Sequence, residues 1–147
     1  MPYRKIKHLI GFFFRKLQSF RYRISGIEIG KNTFISLGAW LDERRGKIII
    51  GSNCEITSGV KILSHDATAG RLSPGSKGEY TTKIGDNVFV GMNAVILPGI
   101  EIGDNVIVGA GAIVSKNVKA NCLVVGNPGR VIKVFDSEKG LWCKLKN

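Results

Sequence analysis

Residues 84–114 read IGDNVFVGMNAVILPGIEIGDNVIVGAGAIV, and an aliphatic residue stands at every sixth position. The same spacing occurs earlier in the chain, so that twelve aliphatic residues follow one six-residue period: Ile29, Ile35, Leu41, Ile50, Ile56, Ile62, Ile84, Val90, Ile96, Ile102, Val108 and Val114. The fourth residue after many of them is small or β-branched: Thr33, Ala39, Cys54, Val60, Val88, Ala94, Val106, Ala112 and Val118. Neither the α-helical period nor strand alternation produces this pattern.

A period of six is typical of a parallel β-helix, a solenoid in which each hexapeptide supplies one short strand and one turn. Three hexapeptides close a triangular coil, and the pattern predicts about five stacked coils with the aliphatic residues in three interior columns. A β-sandwich fits poorly because its strands recur every 8 to 12 residues. Glycine follows the aliphatic residue at positions 30, 51, 85, 91, 103 and 109. We expect these glycines at sharp bends, where positive φ favours glycine.

The charge is concentrated near the N-terminus. The chain has 147 residues and a net charge of +11, and seven of its cations precede the first acidic residue, Glu28. Residues 1–25 are predicted to form a basic amphipathic helix with Ile6, Leu9, Ile10, Phe13, Leu17 and Phe20 on one face. This helix is expected to cap the open end of the solenoid, to contact an anionic membrane through residues 1–23, or both. Nucleic-acid binding is not expected, because groove-reading and base-stacking elements are missing.

The subcellular location follows from the same segment. The apolar run from Leu9 to Phe14 is too short to span a bilayer and is a poor signal-peptide core. We therefore expect a cytoplasmic protein, peripheral on the inner face of the membrane if the helix binds lipid. The three cysteines, Cys54, Cys122 and Cys143, show no metal-ligand spacing and give no indication of an oxidising compartment.

Two insertions interrupt the period, one between Leu41 and Ile50 and one between Ile62 and Ile84. Both follow the third strand of a coil, so both are predicted to leave the prism at the same corner. The longer insertion, residues 63–83, contains His65, the only histidine outside the N-terminal segment. A histidine at the root of such a loop is either a general base or an ordinary solvated side chain. A single histidine at the prism does not supply a zinc site, and we expect no metal.

The segment from Ile29 to Lys133 resembles the hexapeptide-repeat acyltransferases, especially the maltose and galactoside acetyltransferase branch. Residues 126–133, GNPGRVIK, are the most specific part of the resemblance. It implies an all-β, left-handed parallel β-helix, acetyl-CoA as co-substrate, a homotrimer with active sites between neighbouring prisms, and His65 as the catalytic base. The family's sugar-acetylating members commonly have proline after this histidine, whereas this chain has Asp66.

The same resemblance implies the remaining site residues. Coenzyme-binding places of the family fall on Met92, Ala110, Ser115, Lys116, Arg130 and Lys133. Acceptor contacts fall on Asp42 or Glu43, and Ser36 stands where the sugar-acetylating branch tends to have asparagine. The expected activity is O-acetylation of a sugar or a cell-surface polysaccharide precursor. N-acetylation of an amino sugar and a non-catalytic, membrane-docked scaffold are the alternatives.

These expectations divide the chain into three parts: residues 1–25 as helix or cap, 26–133 as the β-helix acyltransferase domain, and 134–147 as a C-terminal tail. The plain expectation for the tail is that it packs on a neighbouring prism.

Overall fold

The computed structural model describes the backbone of residues 2–73 and 75–145, and their side chains from residue 11 onward except those of residues 12 and 70. The elements in chain order are α1 (Pro2–Ile24), β1 (Glu28–Ile29), β2 (Phe34–Ile35), β3 (Trp40–Leu41), β4 (Lys47–Ile50), β5 (Glu55–Ile56), β6 (Lys61–Ile62), α2 (Ala69–Leu72), β7 (Thr81–Ile84), β8 (Phe89–Val90), β9 (Val95–Ile96), β10 (Glu101–Ile102), β11 (Ile107–Val108), β12 (Ile113–Val114), β13 (Cys122–Val125), β14 (Arg130–Asp136) and β15 (Leu141–Lys144).

The strands form three parallel sheets that enclose one apolar core. Sheet A has the order β1-β4-β7-β10, sheet C has β3-β6-β9-β12, and sheet B contains β2, β5, β8, β11 and β13 in parallel. The strand registers align the predicted aliphatic columns in every sheet: Ile29, Ile50, Ile84 and Ile102; Ile35, Ile56, Val90 and Val108; and Leu41, Ile62, Ile96 and Val114. The prediction of stacked columns is confirmed. The chain runs from sheet A to B to C in each coil, so the prism has corners AB, BC and CA.

Asparagines, rather than the periodic glycines, take the positive-φ positions at corner AB. Asn32, Asn53, Asn87, Asn105 and Asn121 have φ between 54° and 61°. Their amides also stack: Asn87 Nδ2 donates to Asn105 Oδ1 at 3.2 Å, and Asn105 Nδ2 donates to Asn121 Oδ1 at 3.0 Å. Asparagine tolerates this left-handed conformation because its short polar side chain bonds locally.

The expectation that the periodic glycines supply positive φ is therefore wrong. None of the periodic glycines has a positive φ, at positions 30, 51, 85, 91, 103 or 109. Glycine is needed there because the backbones of neighbouring coils approach closely. A Cβ on Gly51 would lie 2.6 Å from the carbonyl oxygen of Gly85, and a Cβ on Gly30 would lie 2.5 Å from the carbonyl carbon of Gly51. Only glycine fits such a column without moving the backbone.

Helix α1 covers the first coil. The Tyr22 side chain is 1% exposed, its hydroxyl donates to the Ala39 carbonyl oxygen at 3.2 Å, and it accepts from the Leu41 N–H at 3.3 Å. These bonds satisfy backbone groups that the first coil would otherwise leave unpaired. The capping role predicted for the helix is thus visible in its contacts. None of the helices in the described part of the chain is long and apolar enough to cross a bilayer.

The other end of the prism carries a β-hairpin. Strand β14 pairs antiparallel with β13, and β15 pairs antiparallel with β14, so both extend sheet B of their own chain. Phe135 and Trp142 pack edge to face in this hairpin with ring centroids 5.4 Å apart. Residues 134–136 and β15 join the sheet of their own chain, and the expected boundary at residue 134 falls inside β14. That the tail packs on a neighbouring prism stays a prediction.

Candidate active site

Both insertions leave the prism at corner CA, as predicted, and they contact each other. The Ser64 hydroxyl donates to the Asp42 carbonyl oxygen at 2.9 Å and also lies within hydrogen-bonding distance of the Arg45 carbonyl oxygen. His65 forms an isolated antiparallel bridge with Glu79 at the other end of the long loop. The loop is not entirely irregular, because it contains the single-turn helix α2. These contacts fix the root of the loop on the rigid stack.

The imidazole of His65 is held by a buried carboxylate. His65 Nδ1 bonds Asp42 Oδ2, and the Asp42 side chain is fully buried. The second carboxylate oxygen, Oδ1, accepts from Arg44 Nε at 3.0 Å and from the Arg44 backbone N–H at 3.3 Å. The Arg44 guanidinium in turn lies over the Trp40 ring, 5.4 Å from its centroid. Trp40, Arg44 and Asp42 therefore form one chain of contacts that ends at the histidine.

This arrangement keeps Asp42 ionised. Burial acts to raise the pKa of the Asp42 carboxyl group, but the hydrogen bonds from His65 and Arg44 outweigh it, and the net pKa lies below its usual value. An ionised carboxylate only accepts hydrogen bonds, so Nδ1 of His65 carries the proton in this contact. With Nδ1 protonated in a neutral imidazole, Nε2 has a free lone pair.

The histidine lines a cavity of about 770 Å³ at corner CA. Its side chain is 14% exposed, so the ring is mostly enclosed and still reachable from the cavity. The cavity walls carry charges of both signs and a hydroxyl: the lining residues are Arg44, Arg45, His65, Asp66, Ala67, Ser76, Lys77 and Glu79. Such a polar cavity suits a hydroxyl-rich or charged acceptor better than an apolar one.

The acidic residues close to His65 in the sequence or the structure differ in burial and in their hydrogen-bond partners. Asp42 or Glu43 is expected to contact acceptor hydroxyls, but Asp42 is buried and contacts His65 and Arg44 instead, so the acceptor role is left to Glu43. Glu43 is partly exposed and pairs with Arg21 of α1 at 3.0 Å. Asp66, although next to the histidine in sequence, accepts from the Thr68 N–H at 2.8 Å and the Thr68 hydroxyl at 2.7 Å.

The other predicted site residues occupy two corners of the prism and the hairpin. Ser36, Met92 and Ala110 lie in turns between sheets B and C, at corner BC. Ser115 and Lys116 follow β12 at corner CA, the corner of His65. Arg130 and Lys133 lie on β14. The structure thus brings Asp42, Glu43 and His65 together and places Ser36, Met92 and Ala110 at a different corner of the same chain.

Sequence reasoning missed the orienting carboxylate and most of the cavity wall. The register of β3 with β6 pairs Leu41 with Ile62, and the residues that follow these two strands therefore leave the prism side by side. That register was a usable signal for an Asp42 contact with the longer loop. Arg45, Ser76, Lys77 and Glu79 had no such signal, because their positions depend on how an irregular loop folds back.

Comparisons with known proteins agree with the fold. Residues 81–116 match the family model described as bacterial transferase hexapeptide (six repeats). Protein CapG of Staphylococcus aureus is 38% identical over 128 residues, which cover 84% of this chain and 74% of CapG. The chain belongs to the hexapeptide-repeat acyltransferases. The predicted family is confirmed, and with it the left-handed parallel β-helix.

Two solved structures of this acyltransferase family extend the comparison. A maltose O-acetyltransferase from Clostridium difficile 630 is 40% identical, with a TM-score of 0.66, over 76% of this chain and 60% of that protein. A galactoside acetyltransferase, solved in complex with coenzyme A, is 29% identical, with a TM-score of 0.68, over 82% of this chain and 63% of that protein. The chain therefore spans somewhat less than two thirds of the length of these two acetyltransferases.

Proposed function

We propose that this hexapeptide-repeat acyltransferase is an acetyl-CoA-dependent O-acetyltransferase that acts on a hydroxyl of a sugar or of a cell-surface polysaccharide precursor. The observation that carries the proposal is the His65–Asp42 pair, in which a buried carboxylate fixes Nδ1 and leaves Nε2 available at a polar cavity. A general base needs this combination of a fixed ring, a free lone pair and access to substrate. The sugar acceptor is supported by the similarity to the maltose O-acetyltransferase and the galactoside acetyltransferase.

The chemistry requires no covalent enzyme intermediate. Nε2 of His65 removes the proton of the acceptor hydroxyl while that oxygen attacks the thioester carbonyl carbon. A C–O bond forms, the C–S bond breaks, and the departing coenzyme A thiolate takes up a proton. Cys54 and Cys122 are buried, and burial raises the pKa of both thiols, which does not suit a nucleophile. Among the described residues no cluster of three or more potential metal ligands occurs.

The coenzyme-binding residues fit a polyanionic co-substrate. Lys116 and Arg130 are exposed cations, and Lys133 is half-buried on the same strand as Arg130. Met92 and Ala110 are exposed in their turns, where backbone groups are accessible. We assign the cations, with Ser115, to the phosphates and the two turn residues to the pantetheine arm.

A homotrimer would complete the site, because the predicted residues lie at two corners of one prism. The outer surfaces support such packing. Apart from Ile49, sheet A presents polar residues, among them two ion pairs, Lys47–Glu28 and Lys83–Glu101. Sheets B and C present more apolar residues, namely Phe34, Phe89, Ile107, Leu123, Trp40, Val95 and Ile113, interrupted by Glu55 and Lys61. We infer that corner BC of one subunit faces corner CA of its neighbour.

The test is acetyl transfer by a His65→Ala variant, with His8→Ala as the matched histidine control. We expect His65→Ala to lower kcat by about 10² to 10⁴-fold, the usual contribution of a general base, and to bind coenzyme A as before. Acetyl transfer to sugar precursors with labelled acetyl-CoA gives the rate, and circular dichroism verifies the fold. An undiminished rate in His65→Ala would reject the assignment.

The same assay separates the alternatives. Paired amino and hydroxy sugars as acceptors distinguish N- from O-acetylation. A scaffold without catalytic function would show no thermal shift with coenzyme A, whereas an acetyltransferase is stabilised by its ligand. Because acetyl-CoA is a cytosolic metabolite, we place the reaction in the cytoplasm.

A further inference from the structure

Helix α1 uses one face to cap the prism. Tyr22 and Ser19 are buried against the first coil, and Gln18 Nε2 donates to the Ala39 carbonyl oxygen at 3.2 Å. The Arg15 guanidinium lies over the Phe34 ring of β2, 4.6 Å from its centroid. At 100° per residue these four positions fall within one third of the helix circumference.

The opposite side carries a continuous apolar stripe. Its members follow the spacing i, i+4, i+7 and i+11, which aligns side chains along one helix face. They are strongly exposed: Phe13 is 66% exposed, Leu17 52%, Phe20 59% and Ile24 72%. An ordinary solenoid cap presents a polar outer surface, because exposed apolar stripes reduce solubility. Capping therefore accounts for the inner face of the helix and leaves the outer face unexplained.

Basic residues border the stripe on both sides. On the helical circumference Lys16 and Arg23 lie along one edge of the stripe and Arg21 along the other, and all three are exposed. Arg21 remains 58% exposed even though it pairs with Glu43. The sequence contains no acidic residue before Glu28, so no carboxylate of the helix offsets these charges. The outer face is thus apolar along its centre and cationic along its margins.

We propose that the outer face of α1, defined by Phe13, Leu17, Phe20 and Ile24, docks the enzyme on an anionic lipid surface. Apolar side chains enter the acyl boundary and flanking cations meet the anionic headgroups when a helix lies in the interface. A second copy of the chain is a poorer occupant, because pairing two such faces brings like charges together. This inference does not depend on the proposed catalytic function.

Docking would set the orientation of the active site. Arg21 binds Glu43, and the next residue towards the N-terminus, Asp42, binds His65. The lipid-facing helix and the histidine are therefore connected through two consecutive residues of the shorter insertion. An acceptor presented at the lipid surface would be close to the cavity at corner CA.

Vesicle flotation of the full-length protein tests the proposal. Vesicles of phosphatidylcholine are compared with vesicles that also contain phosphatidylglycerol, at low and high salt. We expect the protein to float with the anionic vesicles and to dissociate at high salt, because salt screens the headgroup attraction. A Phe13→Gln, Phe20→Gln double variant should lose about tenfold or more of this binding, since both rings leave the interface.

The matched control is Leu141→Gln, which removes an exposed apolar side chain (58% exposed) from the C-terminal hairpin instead. It should float as the unmodified protein does. The proposal is overturned if the double variant binds as well as the control, or if the unmodified protein does not float with anionic vesicles. It is also overturned if the double variant dissociates an oligomer by light scattering, because the stripe then covers a second copy.

Discussion

In the pair of His65 and Asp42, one buried carboxylate bonds Nδ1 of the imidazole and leaves Nε2 free. Both oxygens of Asp42 have protein partners and the side chain is fully buried, so the carboxylate is not accessible to substrate. In the proposed mechanism its effect on the reaction passes through the histidine, and Asp42 acts as a positioning residue. Its value lies in keeping the proton on Nδ1 and the ring at a constant angle.

Asp42→Asn tests this positioning role. The amide has almost the same shape, but it donates as well as accepts and no longer favours one tautomer of His65. We expect kcat to fall by at least about tenfold while KM for acetyl-CoA stays unchanged, by analogy with the effect of removing the carboxylate in Ser-His-Asp triads. Steady-state kinetics provides the measurement, and a parallel rise in KM would point to a general loss of structure instead.

Asp42 also predicts acid sensitivity of the fold. Because its pKa in the folded protein lies below the unfolded value, its stabilising contribution is complete above the unfolded pKa, about 4, and is lost as the pH falls through the folded pKa. The unmodified protein should therefore lose more stability between pH 6 and strongly acidic pH than Asp42→Asn does. Urea unfolding midpoints across this range measure the difference, and identical pH dependence of the two proteins would contradict it.

At the scale of the element, the asparagines of corner AB meet two separate requirements, one on backbone conformation and one on side-chain hydrogen bonding. Each asparagine adopts a left-handed backbone and shares an amide hydrogen bond with a neighbouring coil, and Asn105 bonds the coils on both sides. Alanine is strained in the left-handed conformation and cannot form the amide hydrogen bonds, whereas glycine adopts this conformation without strain and loses only the hydrogen bonds. The corner therefore allows the two contributions to be measured separately.

Asn105→Ala should lower the free energy of unfolding by about 1–3 kcal/mol, combining left-handed strain with lost exposed hydrogen bonds. Asn105→Gly should lower it less than Asn105→Ala does. Chemical denaturation of the two variants gives both values. If glycine proves as costly as alanine, the amide ladder rather than the backbone dominates the corner.

At the scale of the whole molecule, the helix and the prism are one folding unit. Tyr22 is among the largest fully buried side chains, and its hydroxyl satisfies backbone groups of the first coil. Removing residues 2–24 would expose that coil and its apolar interior. We expect the truncated protein to aggregate, by light scattering, at concentrations where the full chain does not. A stable, monodisperse truncated protein would show that the helix is dispensable for folding.

The prism could be predicted from the sequence because the same six-residue spacing of aliphatic residues recurs in every coil. The columns headed by Ile29, Ile35 and Leu41 follow from spacing alone, and the register needs no further information. The contact between Asp42 and His65 did not follow in the same way. Asp42 directly follows β3, but His65 lies three residues beyond β6, where the long insertion has left the repeat. The hairpin after β13 was missed because its residues abandon the period.

Both ends of the tube are closed by a different kind of structure. At the start the helix lies across β1 and β2, and at the finish β14 reverses direction against β13. A stack of parallel strands offers a template for endless growth, and proteins prevent this by covering or reversing their terminal edges. Here the helix covers the first coil and β14 pairs with the last parallel strand of sheet B, so fibrils by end-to-end addition are disfavoured and copies of the molecule are expected to associate through their flanks.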